Sequence, residues 1–164
     1  MAITITRDGY SQVEPNHLSA PRDGRVYAQL PANEDITILE NGMFVKYDYA
    51  AGEVNFTGDG AWMLVYNEEK LYDERKQAHK DWAQKVEDSY DGKIYPRVFG
   101  LVAGDIFTTN AFAEGTSLAV GDTVVPGADG FLAAGDTGDL VLKVVKEYTL
   151  PDGQPAVKLQ VIKA

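Results

Sequence analysis

Two histidines, His17 and His79, are the whole imidazole supply of this chain. They stand far apart and lack the His-x-x-x-His type of spacing that sets two ligands on one helix face, so no zinc site is expected. Ser11 or Ser19 could be combined on paper with His17 and an aspartate into a nucleophilic triad. Neither serine has the Gly-x-Ser-x-Gly surroundings that expose a nucleophile on a strand-to-helix elbow. The acids offer more material. Glu68-Glu69 and Glu87-Asp88 are paired only as sequence neighbours, whereas glycoside hydrolysis needs two carboxyl groups roughly 5–9.5 Å apart across a sugar. Asp129-Gly130 and Asp136-Thr137-Gly138-Asp139 could supply oxygens to calcium, but the EF-hand pattern is absent and Asp-Gly is also ordinary turn chemistry. Gly58-Asp59-Gly60 and the glycines from Gly121 to Gly138 lack the Gly-Lys-Ser/Thr and the strand–helix context of a phosphate loop. With no cysteine there is no thiolate and no disulfide. The expectation is a non-enzymatic protein with no metal and no cofactor.

Charge points the same way. The formal net charge is −10, from 25 acidic and 15 basic residues, which repels nucleic-acid backbones and anionic membranes. No apolar run approaches the roughly 20 residues of a membrane span, and the opening MAITITRDG has neither the basic start nor the apolar stretch of a signal peptide. The imbalance is local. Residues 1–30 balance Arg7, Arg22 and Arg25 against Asp8, Glu14 and Asp23, while residues 98–142 carry six acids and no base.

The elements that would position these residues are mostly strands. The phrase VAGD at Val102–Asp105 returns as AVGD at Ala119–Asp122 and AAGD at Ala133–Asp136. Gly-Asp supplies a turn, and short apolar runs between the copies read as strands. Leu140–Tyr148 and Ala156–Ile162, joined through Pro151-Asp152-Gly153, form the clearest hairpin. Asn41-Gly42 between Ile36–Leu39 and Met43–Tyr49 predicts another, with Tyr47 and Tyr49 on one face. Val54–Phe56 and Trp62–Tyr66 pair around Gly58-Asp59-Gly60, so residues 36–66 read as a meander. From Asn67 to Tyr90 the period changes. Leu71, Ala78, Trp82, Val86 and Tyr90 follow helical steps, predicting a helix over about 67–90 that Asp91-Gly92 closes. Leu71, Trp82, Val86 and Tyr90 form a stripe that suits either the domain interior or an oligomer interface. Residues 10–25 hold Pro15, Pro21 and few apolar anchors, which predicts an extended arm. The fold class expected is mainly β: a small antiparallel barrel or sandwich-like domain, with an N-terminal arm over 1–30 and one β-rich domain over 31–164 carrying a helical insertion at 67–92.

The segment beginning at Gly115, GTSLAVGDTVVPGADGFLAAGDTGDL, followed by VLKVVKEY, resembles the late β region of small head decoration, or capsid-stabilising, proteins of tailed bacteriophages. Gly121, Asp122, Val124, Gly130, Gly135 and Val141 carry the resemblance. It implies a structural virion protein, assembled in the host cytoplasm, that sits on the outer capsid surface as a homotrimer and bridges major capsid protein subunits. The arm would then lie across a capsomer seam, with Arg7, Tyr10, Arg22 and Arg25 as contacts. The other reading is a virion or tail-associated β module that binds host-surface carbohydrate or a receptor through Trp62, Trp82 and exposed tyrosines.

Overall fold

The computed structural model describes residues 1–67 and 83–164. In chain order the described strands begin with Ala2–Thr4 (β1), Val13–His17 (β2), Val26–Tyr27 (β3), Ile38–Glu40 (β4) and Phe44–Asp48 (β5). Glu53–Asn55 (β6), Trp62–Val65 (β7), Ala83–Lys85 (β8), Val98–Gly100 (β9) and Ile106–Thr109 (β10) follow. Ser117–Ala119 (β11), Thr123–Pro126 (β12), Leu132–Ala134 (β13), Val141–Thr149 (β14) and Pro155–Lys163 (β15) complete them. A single turn of helix, Ala20–Asp23 (α1), precedes β3 and ends on Gly24 at φ 71°. The chain is mainly β, as its alternating apolar pattern predicts.

Six strands form one antiparallel sheet in the order β13–β12–β14–β15–β10–β2, and five form another in the order β3–β9–β7–β5–β6. Two-stranded ribbons, β1–β11 and β4–β8, complete the pairing. The five-stranded sheet is buried on both faces. Phe44, Leu64 and Phe99 lie side by side in register and pack with Phe107, Leu142 and Leu159 of the six-stranded sheet. On the other face Val45, Met63, Val65 and Val98 pack with Leu39 and Ile94. Burial on both faces explains why β7, Trp-Met-Leu-Val, reads as a continuous apolar run. Leu64 is fully buried at the centre of this stack. Leu64→Ala is expected to cost about 2–5 kcal/mol, read as a lower urea midpoint at an unchanged slope.

The Gly-Asp repeat has a physical meaning in two of its three copies. The Gly104 N–H donates to the Val161 carbonyl (2.8 Å) and the Val161 N–H donates back to the Asp105 carbonyl (2.9 Å). The Asp105 carboxylate accepts the Val102 N–H (3.0 Å), closing the turn. The second copy repeats every bond on the neighbouring strand: Gly121 to Val144 (2.8 Å), Val144 to Asp122 (2.9 Å), and Ala119 to the Asp122 carboxylate (2.8 Å). Both glycines sit at φ 99°, where a side chain would be strained. The register that follows is also the same, with Ile106 opposite Gln160 and Thr123 opposite Lys143. Each turn therefore clamps one arm of the β14–β15 hairpin. The third copy differs: Gly135 packs on Val125, and the Asp136 carboxylate accepts the Thr137 hydroxyl.

Four expectations are corrected. Residues 1–30 do not form an extended arm. β1 pairs with β11, β2 with β10 and β3 with β9, and Ile5 and Ala20 are fully buried. The polar residues that suggested an arm hold it to the body: Ser11 Oγ donates to the Asn41 carbonyl (2.8 Å), and the Gln12 N–H donates to Asn110 Oδ1 (2.7 Å). These partners lie far along the chain, where no local pattern reveals them.

Asn41-Gly42 does not join a hairpin, because β4 pairs with β8 instead of β5. The turn is a buried corner. Asn41 Oδ1 accepts the Asn67 N–H (2.7 Å), and a Cβ on Gly42 would lie 2.6 Å from Thr109 Oγ1. Nor do β6 and β7 pair with one another, since β5 runs between them.

The expected helix over 67–90 falls largely on residues 68–82, outside the described residues. Its last third is not helical: Ala83–Lys85 is strand β8, and Val86–Asp88 is a single 3-10 turn. Pairing with the edge of β4 overrides the helical spacing there.

Candidate functional site

A half-open cleft of about 450 Å³ lies at one end of the five-stranded sheet, against the start of β14. Its character comes from four aromatic side chains, Tyr27 on β3, Tyr47 and Tyr49 on and just after β5, and Trp62 on β7. The tyrosines form an edge-to-face chain. Tyr27 and Tyr47 have ring centroids 6.1 Å apart at 62°, and Tyr47 and Tyr49 are 5.7 Å apart at 74°. Such pairs contribute about 0.5–1.5 kcal/mol each beyond their buried area. Tyr47 and Tyr49 share a face as their spacing in the strand predicts. Trp62 lies across from Lys46 in the β5–β7 register, and the Lys46 ammonium sits 5.3 Å from the Trp62 ring centroid.

The segment that positions the tyrosines is the Gly58-Asp59-Gly60 loop. The Gly60 N–H donates to the Tyr47 carbonyl (2.9 Å), and the Asp59 carboxylate accepts the Tyr49 N–H (3.4 Å). Asn55 Oδ1 accepts the Gly58 N–H (2.6 Å) and sets the loop's path. A Cβ at Gly58 would overlap the Tyr47 carbonyl, and one at Gly60 would come within 3.0 Å of Tyr47 Cβ. These glycines allow backbone to press on backbone, which is the physical content of a motif that has no phosphate to hold. Gly58→Ala is expected to cost about 1–3 kcal/mol through this overlap, with a matching change in tyrosine near-ultraviolet dichroism as the chain of rings shifts.

Burial, and then the neighbouring Tyr27 and Tyr49, raise the Tyr47 pKa above the ordinary phenol value. Like any phenol, its hydroxyl can both donate and accept. Arg25 forms part of the wall, yet its guanidinium is committed: Nη1 donates to the Gly100 carbonyl, and Nη2 donates to Ser19 Oγ (2.6 Å) and Asp23 Oδ2 (3.3 Å). Asp139 is the carboxylate side chain at the rim. Among the described residues the lining holds neither histidine nor serine. Its aromatic faces and neutral hydroxyls suit binding and offer no base beside a nucleophile.

The residues expected to contact a capsid from an arm occupy quite different places. Arg7 is tucked in, with Nη1 2.8 Å from Glu40 Oε2 and its guanidinium 4.7 Å from the Phe131 ring centroid. Tyr10 is half-buried beneath the Lys85 ammonium, 5.0 Å from its ring centroid. Arg25 belongs to the cleft. Arg22 faces solvent, its side chain 81% exposed, bonded to Asp23 at 3.0 Å. Of the expected interface stripe, Leu71 and Trp82 lie outside the described residues. Val86 packs on the core beneath the five-stranded sheet, and Tyr90 is fully exposed, so these two do not share a face.

His17 is an exposed strand residue opposite Ile106, and His79 lies outside the described residues. Among the described residues no group of three His, Cys, Asp or Glu side chains is placed to share a metal ion. Asp129 serves its turn by accepting the Phe131 N–H (3.1 Å).

The cleft as a whole is not readable from the sequence because its described lining comes from four strands, β3, β5, β7 and β9, and from the loops beside them. Trp62 and exposed tyrosines belong to the carbohydrate-binding reading of the sequence, and the alternation of Tyr47 and Tyr49 sets two of the rings on one face, but nothing local brings Tyr27 and Trp62 to the same cleft. Compared with models of protein families, with curated proteins and with solved structures, the chain matches none.

Proposed function

We propose that this is a structural virion protein that binds the outer surface of a bacteriophage capsid and stabilises contacts between major capsid subunits, acting as a homotrimer. The observation that carries the reading is the doubly clamped β unit. Some of the positions on which the resemblance to head decoration proteins rests contribute to it or to the core beside it. Gly121 and Asp122 make the second clamp, and Val124 and Val141 fill the core behind it. Gly130, at φ 82°, lies within reach of Phe56 and the Phe44 carbonyl.

Residues 1–30 are woven into the sheets, so contact with a shell falls to the body of the molecule. Val102, Val120, Val145 and Ile162 are exposed on and beside the two clamps, and acidic Asp122 and Asp136 lie on the same clamp and repeat turns. Isolated apolar residues among acids give weak contacts singly. Repeated over a lattice they add through effective concentration.

The test is sedimentation. The purified protein is expected to run as a discrete trimer, to pellet with expanded undecorated phage heads and to raise the temperature at which those heads disrupt. Protein that stays in the supernatant at saturating head concentration would overturn the reading.

A further inference from the structure

We propose that the aromatic cleft between β3, β5, β7 and the start of β14 is a saccharide-binding site for a neutral, hexose-based glycan. This goes beyond the shell-binding reading and does not depend on it. The lining selects the ligand class by elimination. Among the described lining residues Arg25 is the cation, and its bonds to Gly100, Ser19 and Asp23 leave it poorly placed to hold an anionic ligand. A cationic ligand would find the Asp139 carboxylate but also the Arg25 guanidinium in the wall, so the described lining favours no net charge. A purely apolar chain would bury the Tyr47 hydroxyl beside Tyr27 and Tyr49 without compensation.

A sugar ring satisfies the remaining demands together. Its C–H face is apolar and flat enough to lie on Trp62 or Tyr49, and its rim of hydroxyls can exchange bonds with tyrosine hydroxyls and the Asp139 carboxylate. The volume, about 450 Å³, falls within the roughly 300–1,000 Å³ of small-molecule clefts. The position is prepared in advance, since the Gly58–Gly60 loop holds Tyr47 and Tyr49 before any ligand arrives. Tyr49 is 68% exposed, so its ring is open to a ligand from the solvent side.

The experiment titrates the full chain with glucose, galactose, N-acetylglucosamine and the β-1,4-linked tetramers of glucose and of N-acetylglucosamine. Binding is followed by saturation-transfer NMR and calorimetry. At least one tetramer is expected to bind, with saturation transfer to its ring protons. Tyr49→Ala should weaken that binding roughly tenfold, the equivalent of one lost aromatic contact, while the loss of its edge-to-face contact with Tyr47 lowers the melting temperature by only about 2–4 °C. Trp62→Phe, which keeps an apolar ring against the core, should weaken it also. Failure of every probe at about 20 mM would overturn the proposal, and so would tetramer binding indifferent to both variants. Loss of head co-sedimentation in Tyr49→Ala with no saccharide bound would overturn it as well, and would assign the cleft to a capsid segment. Saccharide binding by a protein that ignores phage heads would sustain the cleft and sink only the shell reading.

Discussion

Removal of residues 1–25 is expected to unfold the protein. The segment supplies β1 and β2, so its loss bares β11 and one side of β10. Ile5 leaves the core from a fully buried position, worth about 1.5–3 kcal/mol by transfer alone. Buried polar groups on the body lose their partners at the same time: the Asn41 carbonyl loses Ser11, Asp105 loses Ser19, and Glu40 loses Arg7 and the Ser11 N–H. Each orphaned group costs about 1–3 kcal/mol. Their sum reaches the whole stability of a typical domain, about 5–15 kcal/mol. Circular dichroism and a thermal scan of the truncated protein decide the matter. A native-like cooperative transition would show that the segment is dispensable, as an arm would be.

Glu40→Ala carries the second large effect. Arg7 and Glu40 are 16% and 13% exposed and meet at 2.8 Å, and the same Glu40 oxygen accepts the Ser11 N–H at 2.6 Å. Breaking such a pair from one side leaves a charge buried without its partner, at a cost of about 3–5 kcal/mol. Replacing both, as Arg7→Met with Glu40→Leu, should cost far less, because neither charge is then stranded. Urea titrations of the two single variants and the double variant close the cycle. Equal and additive losses would mean that the two side chains act separately. A strong coupling would show that this pair fastens the N-terminal segment to the end of β4.

Local chemistry made some of this structure readable. The β14–β15 hairpin was legible because Val157, Leu159 and Val161 alternate with Lys158 and Gln160, and Pro151-Asp152-Gly153 turns the chain. The Gly-Asp turns were legible as turns. Their equivalence was not, because it lies in bonds to Val144 and Val161, which only the folded chain brings near. Asn41-Gly42 misled for a related reason. The dipeptide favours a hairpin when its flanks can pair, but here its flanks enter different ribbons and the turn is packed against Thr109 and Ala111. The N-terminal thirty residues misled most, since a segment with few apolar anchors reads as loose even when two of them, Ile5 and Ala20, are fully buried. Of the site, Tyr47 and Tyr49 could be set on a common face in advance. Tyr27 and Arg25 could not, because β3 reaches them only by pairing with β9.

The twin turns on the β14–β15 hairpin also bear on how the molecule carries load. Each seizes its strand by a donor and an acceptor on one residue, Val161 on one arm and Val144 on the other. A pull along either strand is therefore resisted in shear, with the clamp bonds and the neighbouring ladder strained in parallel and not peeled one by one. Under tension the hairpin is expected to yield as one unit, a property that the proposed capsid fastening would use.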